Sequence, residues 1–324
     1  MIRSTLWTLI ALLAPPQGRR GPAMMPVPDA AWRPVTKAGA QSGPSDAIAV
    51  KRASSMAHQS GESRVPAIIG GDPPEALLAA GANQLIFPLG LKPGAKDDYL
   101  TRSSWFNGQG VAVRSILLLE SRLAAPSVEV AKALLASQRD FDLADAATLE
   151  KHGQTLESEL QIGQARYPVL VVAPSDFWPE TSLDILQDFI VGGGKVIFLG
   201  RQPLSIQRLL LRSGVVRVSE SPEDIERGLN FAGARDFHIT EMENGTALIE
   251  GPLPKIRYQH RQDARRHYLY VVNRDPDHPV TARMGLGVSN AIEEWDLWTG
   301  KIAPLRVPVK EIPAGGSLAL VVLK

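Results

Sequence analysis

Two short apolar runs with a helix between them organise the first third of the chain. RVPAII (64–69) and QLIFP (84–88) have the composition of buried strands, and GGDPPEALLAAG (70–81) predicts a turn, a helix that begins at a proline and a glycine stop. Upstream, Ser45-Asp46 can cap a helix that runs toward His58 and ends at Gly61. The strand at 64–69, the helix after it and the strand at 84–88 together predict a parallel βαβ unit.

A longer alternation of strands and helices follows. Three continuous apolar runs predict strands that are buried on both faces: SILLLE (115–120), YPVLVVAP (167–174) and KVIFLG (195–200). Helical patterns lie between them, in EVAKALLAS after Pro126-Ser127 and in PETSLDILQDFIV. The segment DFDLADAATLEKHG predicts an edge strand and a further helix. We therefore predict a flavodoxin-like α/β domain with a parallel sheet over residues 109–235.

The period of the pattern changes after residue 235. Short strand-like runs separated by turn signals replace the long alternation, at residues 257–261, 267–273, 279–284, 292–297 and 317–324. They predict a small antiparallel β domain over residues 236–324.

The start of the chain differs from the rest. Its proline and glycine content predicts a leader or a disordered extension over residues 1–40, which leaves residues 41–108 as a region around the βαβ unit. Arg3, followed by an apolar run from Leu6 to Ala14, resembles a short secretory signal. Export to the periplasm or medium and a cytoplasmic location both stay open.

Composition removes several classes of function. The 35 Lys and Arg residues nearly balance the 34 Asp and Glu residues, so the charge offers no argument for a nucleic-acid binder. The absence of cysteine rules out disulfides, thiolate metal sites and a cysteine nucleophile. No apolar run reaches the roughly 18 residues that a membrane helix needs, so we predict no membrane span.

Candidate chemistry lies first at the crest of the predicted parallel sheet. Ala173-Pro174-Ser175-Asp176, Glu120-Ser121 and Gly200-Arg201-Gln202 follow three of its strands, where open α/β sheets bind ligands. A sugar or nucleotide pocket is one interpretation, and ordinary loop polarity with helix capping is the other. The glycines in Gly192-Gly193-Gly194-Lys195 follow a helix instead of preceding one, so they predict a helix stop and no phosphate loop.

Histidine and tryptophan offer weaker signals. The six histidines, at positions 58, 152, 238, 260, 267 and 278, form no pair with metal-ligand spacing, and we predict neither a metal nor a cofactor. His260-Arg261 and Arg265-Arg266-His267 flank a predicted hairpin, where an anion or glycan contact competes with a solvated turn that includes Asp263. The run from Trp295 to Trp298 suits either sugar stacking or packing in the core.

The order of several segments resembles one family of enzymes. RYQHRQDARRHYLYVVNRDPD, VTARMGLGVSNAIEEWDLWTGKIAPL and IPAGGSLALVV are similar to the β region of large glycoside hydrolases. YPVLVVAPSDFWPETSLDILQDFIVGGGKVIFLGRQP is similar to their amidotransferase-like α/β domain, and YLTRSSWFNGQGVA (99–112) to the stretch before it. The chain resembles the α-L-rhamnosidases of glycoside hydrolase family 106 over residues 45–324. An amidotransferase activity is excluded, because its nucleophile is a cysteine.

The same resemblance implies that residues 41–108 are the remnant of a catalytic (β/α) barrel. VKRASSMAHQSGESRVPAII and GDPPEALLAAGANQLIFPLG are similar to late βα units of that barrel. The family carries a carboxylate near the end of the first of these strands, and Ile68 stands at that position here. Glu62 and Glu75 are nearby in sequence but do not align with it. Its histidine after the second strand is replaced by Pro88-Leu89-Gly90. Since glycoside hydrolysis normally takes two carboxylates, no catalytic residue is assigned.

Three hypotheses follow. The first is a glycoside hydrolase-related fragment that is inactive alone because its catalytic barrel is incomplete. The second is a hydrolase whose barrel a partner chain completes. The third is a binding or structural module that holds plant or bacterial oligosaccharide at the α/β crest or at the face from Trp295 to Trp298. An incomplete barrel also predicts exposed, unpaired edges at strands 65–69 and 84–88.

Overall fold

The computed structural model describes residues 23–37, 44–88, 94–121, 128–233, 235–248, 253–285, 291–307 and 309–324. The segment predicted as a secretory signal and Leu89-Gly90 lie outside these residues. Among the described residues, no helix has the length and apolar character needed to cross a bilayer. The fold is a mixed α/β structure with parallel and antiparallel sheets, and the strands of the described residues form no closed barrel.

The first region contains four strands and three helices. In chain order they are β1 (Ala23–Met24), β2 (Val35–Lys37), α1 (Ala47–Ser60), β3 (Pro66–Ile68), α2 (Pro74–Ala79), β4 (Gln84–Pro88) and α3 (Asp97–Phe106). The predicted limits of α1 are confirmed: Asp46 Oδ1 accepts hydrogen bonds from the Ile48 and Ala49 N–H groups, and Gly61 ends the helix at φ +77°.

The small parallel sheet of this region has the order β2-β4-β3. The expectation of unpaired edges on both predicted strands is therefore wrong for β4, which pairs with β3 on one side and β2 on the other. Disorder over the first forty residues is also wrong for residues 23–37, which contribute β1 and β2. Sequence reasoning missed β2 because a three-residue strand carries too little periodicity to be recognised.

The predicted parallel sheet has five strands and the order β7-β6-β11-β12-β13, with every neighbouring pair parallel. Helices cover both faces. The elements from residue 111 to residue 232 are β5 (Val111–Ala112), β6 (Ile116–Glu120), α4 (Val128–Ala136), β7 (Phe141–Asp145), α5 (Ala146–His152), β8 (Gly153–Leu156), β9 (Glu159–Ile162), β10 (Ala165–Tyr167), β11 (Val169–Val172), α6 (Glu180–Val191), β12 (Lys195–Leu199), α7 (Gln207–Leu210), β13 (Val215–Val218) and α8 (Pro222–Ala232). Strands β8, β9 and β10 form a separate antiparallel meander.

Alternation along the parallel strands produces one core on each face of the sheet. Leu117 and Leu119 of β6 pack with α5 and α6, whereas Ile116 and Leu118 pack with α4 and α8. This double coverage explains why the strands are apolar without interruption.

Two antiparallel sheets complete the fold. Their strands are β14 (His238–Glu243), β15 (Thr246–Ala247), β16 (Ile256–Gln262), β17 (Arg266–Asn273), β18 (Val280–Gly285), β19 (Ile292–Trp295), β20 (Lys301–Pro304), β21 (Val309–Ile312) and β22 (Ser317–Leu323). One sheet has the order β1-β20-β19-β22-β17-β16-β5, and the other has the order β15-β14-β18-β21. Strands β1 and β5, which precede the predicted β domain in sequence, thus pair at the two edges of its larger sheet.

The seven-stranded sheet is also buried on both faces. Tyr268 and Tyr270 of β17 share a core with α2 and α3, while Leu269 and Val271 share a core with the four-stranded sheet. The first region and the antiparallel domain therefore have a common hydrophobic core.

We predict that Leu85→Ala in β4 lowers the free energy of unfolding by about 2–5 kcal/mol, because the side chain is completely buried. Urea denaturation measures the loss. The matched control is Leu211→Ala, whose side chain is 90% exposed and which should change stability by less than about 0.5 kcal/mol. Equal losses in the two variants would contradict the central position of β4.

Candidate functional site

A cluster of buried charges lies where the three regions meet. Arg114 is completely buried between β5 and β6, and its guanidinium contacts two aspartates. Its Nε lies 3.1 Å from Asp140 Oδ2, and its Nη1 lies 2.5 Å from Asp142 Oδ1. Burial alone would lower the pKa of Arg114, but Asp142 and Asp140 outweigh that effect and raise it. Arg114 is therefore held as a cation.

Helix α1 supplies the other side of this charge cluster. One face of α1 carries polar side chains at helical spacing, at Lys51, Ser54, Ser55 and His58. Ser55 Oγ accepts a hydrogen bond from the Leu143 N–H of β7 at 3.0 Å. Ser54 accepts hydrogen bonds from Arg114 through both Oγ (2.7 Å) and its backbone oxygen (3.3 Å). Lys51 forms an ion pair with Asp140, and burial, followed by the nearby Arg114, lowers the pKa of Lys51 to about 8.

Asp142 connects this cluster to a histidine at its margin. His58 Nδ1 lies 2.5 Å from Asp142 Oδ2, and the Tyr167 hydroxyl donates to the same oxygen at 2.7 Å. Burial would raise the pKa of Asp142, but Arg114 and the hydrogen bond from His58 hold it well below its usual range. An ionised Asp142 places the proton of a neutral His58 on Nδ1, which leaves the lone pair on Nε2.

His58 also lines a cleft of about 200 Å³. The other polar lining groups include Glu62, Gln164 and Arg261, from α1's end, the meander and β16. Among the described residues His58 Nε2 has no hydrogen-bond partner, so it can accept a proton from a bound molecule. The search for histidine pairs with metal-ligand spacing did not single out His58. The polar residues at helical spacing along α1 were the sequence signal that could have done so.

The expected barrel carboxylate is not replaced by a nearby acid. Ile68 is buried at the end of β3, and Glu75 is buried in α2 with Lys96 Nζ 3.5 Å from its carboxylate. Glu62 is exposed beside the His58 cleft, at the amino end of β3. Asp72, four residues after Ile68, accepts a hydrogen bond from the Ala47 N–H at 2.8 Å. Asp72 and Glu75 are thus engaged with other protein groups, and Glu62 precedes β3 whereas Asp72 follows it.

The polar groups at the crest of the parallel sheet bond to one another. Gln202 Nε2 donates to the Ala173 and Leu199 carbonyls, while Gln202 Oε1 accepts from the Trp178 indole. Ser175 Oγ forms a local turn with Phe177. Exposed Arg201 and Asp176 form an ion pair at 2.8 Å, and Glu120 contacts Arg52 at 3.0 Å. Local hydrogen bonds and ion pairs in the loops account for the groups that suggested a pocket, whereas the expected capping is not found, since α6 begins after Pro179 without a side-chain cap.

The glycine run ends α6, as predicted. The Gly192 N–H donates to the Asp188 carbonyl, and the Gly194 N–H donates to the Phe189 carbonyl. Gly193 has φ +99°, a conformation that favours glycine. Lys195 then begins β12.

Two histidines that are separate in sequence meet across the hairpin of β16 and β17. His260 Nε2 lies 2.9 Å from His267 Nδ1, and His260 Nδ1 lies 2.7 Å from Asp236 Oδ2. The solvated-turn interpretation is wrong for His260, which is buried; it holds for Asp263, which accepts hydrogen bonds from the Arg265 and Arg266 N–H groups. The described part of the chain contains no group of three or more metal-binding side chains.

Packing in the core fits Trp295, whereas an exposed surface for stacking fits Trp298. Trp295 is buried and stacks on Trp105 with ring centroids 6.1 Å apart, so both belong to the core. Trp298 is 57% exposed and stacks on Tyr99 at 4.3 Å, with 14° between the ring planes. The Tyr99 hydroxyl is within hydrogen-bond distance of Ser317 Oγ, at 2.8 Å, which orients the pair.

Solved glycoside hydrolases are similar in fold to this chain. A rhamnosidase from Novosphingobium sp. PP1Y aligns over 90% of the chain with a TM-score of 0.59 and 18% identity. The glycoside hydrolase family 42 exo-carrageenase of Bacteroides ovatus aligns over 83% (TM-score 0.52, 12% identity), and α-L-fucosidase isoenzyme 2 of Paenibacillus thiaminolyticus over 90% (TM-score 0.51, 14% identity). The chain has a glycoside hydrolase-like fold.

The alignments cover only part of each enzyme. The chain spans 34% of the rhamnosidase, 43% of the exo-carrageenase and 65% of the fucosidase. No protein-family model and no curated protein sequence matches the chain.

We predict that Asp142→Asn lowers the free energy of unfolding at pH 7 by about 3–5 kcal/mol, because buried Arg114 loses one of its two carboxylates. The pKa of Asp142 is lower in the folded chain than in the unfolded chain, so its contribution is present above about pH 5 and is lost as the pH falls. The variant should therefore lose stability less steeply in acid. Denaturant unfolding at several pH values measures both effects.

Asp184→Asn is the matched control, since its carboxylate is exposed and pairs with exposed Arg208. It should leave both the stability at pH 7 and the acid slope near those of the wild type. An unchanged acid slope in Asp142→Asn would mean that other carboxylates control the response to acid.

Proposed function

We propose that the chain is a non-catalytic part of a glycoside hydrolase of the α-L-rhamnosidase type, related to glycoside hydrolase family 106. In this proposal the region around β2, β3 and β4 is a (β/α) barrel remnant. The parallel domain is flavodoxin-like and corresponds to the amidotransferase-like domain of such enzymes. The chain then organises a larger saccharide-processing unit and does not hydrolyse glycosides alone.

The arrangement of the strands supports the two domain assignments. Counted in chain order within its own sheet, the parallel domain has the order 2-1-3-4-5, which is the flavodoxin order. In a closed eight-stranded barrel, the last strand lies between the seventh and the first. The order β2-β4-β3 fits that closure if β3 and β4 are late strands and β2 occupies the position of the first.

The observation that carries the proposal is the chemistry at the end of β3. Ile68 is buried where a barrel hydrolase would place a carboxylate, and two of the three nearby acids, Asp72 and Glu75, are engaged elsewhere. Asp72 bonds to the Ala47 N–H and lies 3.6 Å from Arg274, while Glu75 pairs with Lys96. A retaining or an inverting mechanism requires two free carboxylates on either side of the sugar. Those groups would have to come from residues other than these.

We predict that the purified chain does not hydrolyse 4-nitrophenyl α-L-rhamnoside above the rate in buffer. Absorbance of released nitrophenol measures the rate, circular dichroism checks that the protein is folded, and an active rhamnosidase is the positive control. Hydrolysis that Asp72→Asn or Glu62→Gln abolishes would overturn the proposal. Activity that appears only with a barrel-bearing partner chain would favour the partner-completed alternative.

A second candidate function is saccharide binding at the Tyr99–Trp298 pair. An exposed indole that lies face-on to a tyrosine offers a flat apolar surface of the kind that stacks on a pyranose ring. Arg102 Nη1 donates to the Leu297 and Trp298 carbonyls, at 3.0 and 2.7 Å, and so holds the loop that presents the indole.

Rhamnose-containing oligosaccharides should quench the tryptophan fluorescence of the wild-type chain, and Trp298→Ala should remove the saturable part of the titration. Phe177→Ala is the control, since that side chain is also exposed but has no ring partner among the described residues. A flat titration of the wild-type chain would exclude this binding site for the sugars tested.

A further inference from the structure

A second cleft lies at the other end of α1, between the start of that helix, α4 and the first residues of β16. Its volume is about 530 Å³, and it is open to solvent. Four cationic side chains line it, from α1, α4, β16 and the end of β17: Arg52, Lys132, Arg257 and Arg274. The lining acids are Asp46 and Asp72. Cationic groups therefore outnumber acidic ones on the walls.

The acids around this cleft are already bonded. Asp46 caps α1 through the Ile48 and Ala49 N–H groups, and Asp72 accepts from the Ala47 N–H. Arg52 pairs with Glu120, and Lys132 with Glu129 at 2.8 Å. Arg274 is 3.6 Å from Asp72. Three of the four cations thus have a carboxylate neighbour.

Arg257 is the exception. Among the described residues, no carboxylate lies within ion-pair distance of its guanidinium, which is half-buried. Its Nη1 donates to the Leu135, Pro254 and Ile256 carbonyls, at 3.2, 2.9 and 2.9 Å, and within the described part of the chain Nη2 and Nε have no hydrogen-bond partner. Burial, with Arg274 nearby, lowers its pKa to about 10, so it remains a cation at neutral pH.

We propose that this cleft binds the carboxylate of an acidic saccharide, with Arg257 as the anchoring cation and Lys132 at the opposite wall. An arginine fork matches the planar geometry of a carboxylate, and an anion would compensate a charge that has no carboxylate partner among the described residues. The inference rests on the proposed function for the class of ligand.

The position of the cleft fits a saccharide site. Residues 44–47 lie against the carboxyl end of β3, since the Ile68 N–H donates to the Pro44 carbonyl and the Asp72 N–H to the Ser45 carbonyl. In β/α barrels this is the end of the strands at which substrates bind. The three carbonyls that hold Nη1 fix the guanidinium before a ligand arrives, which reduces the entropic cost of binding.

Isothermal titration calorimetry with the full chain tests the proposal, with digalacturonate, neutral digalactose and sodium sulfate at constant ionic strength. Digalacturonate should bind at least about 10-fold more tightly than digalactose, because only the former carries the anion. Arg257→Gln should weaken its binding by about 10-fold or more. Lys132→Gln, at a side chain that is 58% exposed, should weaken it by a smaller factor without affecting folding.

Arg208→Gln is the control variant, because that residue is exposed on α7 and does not line the cleft. Digalacturonate affinity that neither Arg257→Gln nor Lys132→Gln changes would overturn the proposal, as would equal affinity for digalactose. Sulfate binding as tight as that of digalacturonate would overturn the assignment to an acidic saccharide. The rhamnoside assay tests the proposed function separately, since it does not depend on this cleft.

Discussion

The burial of one guanidinium, that of Arg114, constrains the relation between all three regions of this chain. Arg114 lies in the short link between β5, which pairs with the seven-stranded antiparallel sheet, and β6, which is in the parallel sheet. Its partners are Asp140, just before β7, Asp142 in β7 and Ser54 in α1. A cation without water must have carboxylates and acceptors at close range, so none of these elements can shift without leaving a charge unpaired. The ionic cluster therefore sets the position of α1 against β7.

The chemistry available to ligands lies at the margins of this arrangement. Lys51, Arg114, Asp140 and Asp142 neutralise one another inside the protein and are inaccessible. His58 reaches from the cluster into the first cleft, and Arg257 faces the second with no acidic partner among the residues that the structure describes. The two clefts lie near opposite ends of α1. The exposed Trp298 offers a third surface, on the antiparallel domain.

Sequence patterns predicted the elements that carry strong local signals. The limits of α1 follow from Asp46 and Gly61, the strands at 115–120, 167–172 and 195–199 follow from continuous apolar runs, and the glycines at 192–194 end α6. The meander of β8, β9 and β10 and the very short strands β1, β2 and β5 were missed. These strands are two to four residues long, so their identity comes from hydrogen bonds to distant partners and not from any period of their own.

The candidate sites are formed almost wholly by residues that are far apart in the sequence. His58 and Asp142, His260 and Asp236, and Arg257 and Leu135 are separated by 84, 24 and 122 positions, and no spacing rule relates such pairs. The amino-acid sequence alone determined the alternation of parallel strands and helices, the change to antiparallel strands and the lack of cysteine chemistry, because these depend on residue type and local period. Tertiary packing determined which charges are neutralised by a protein partner and which are accessible to a ligand, because pairing and desolvation depend on where distant segments meet.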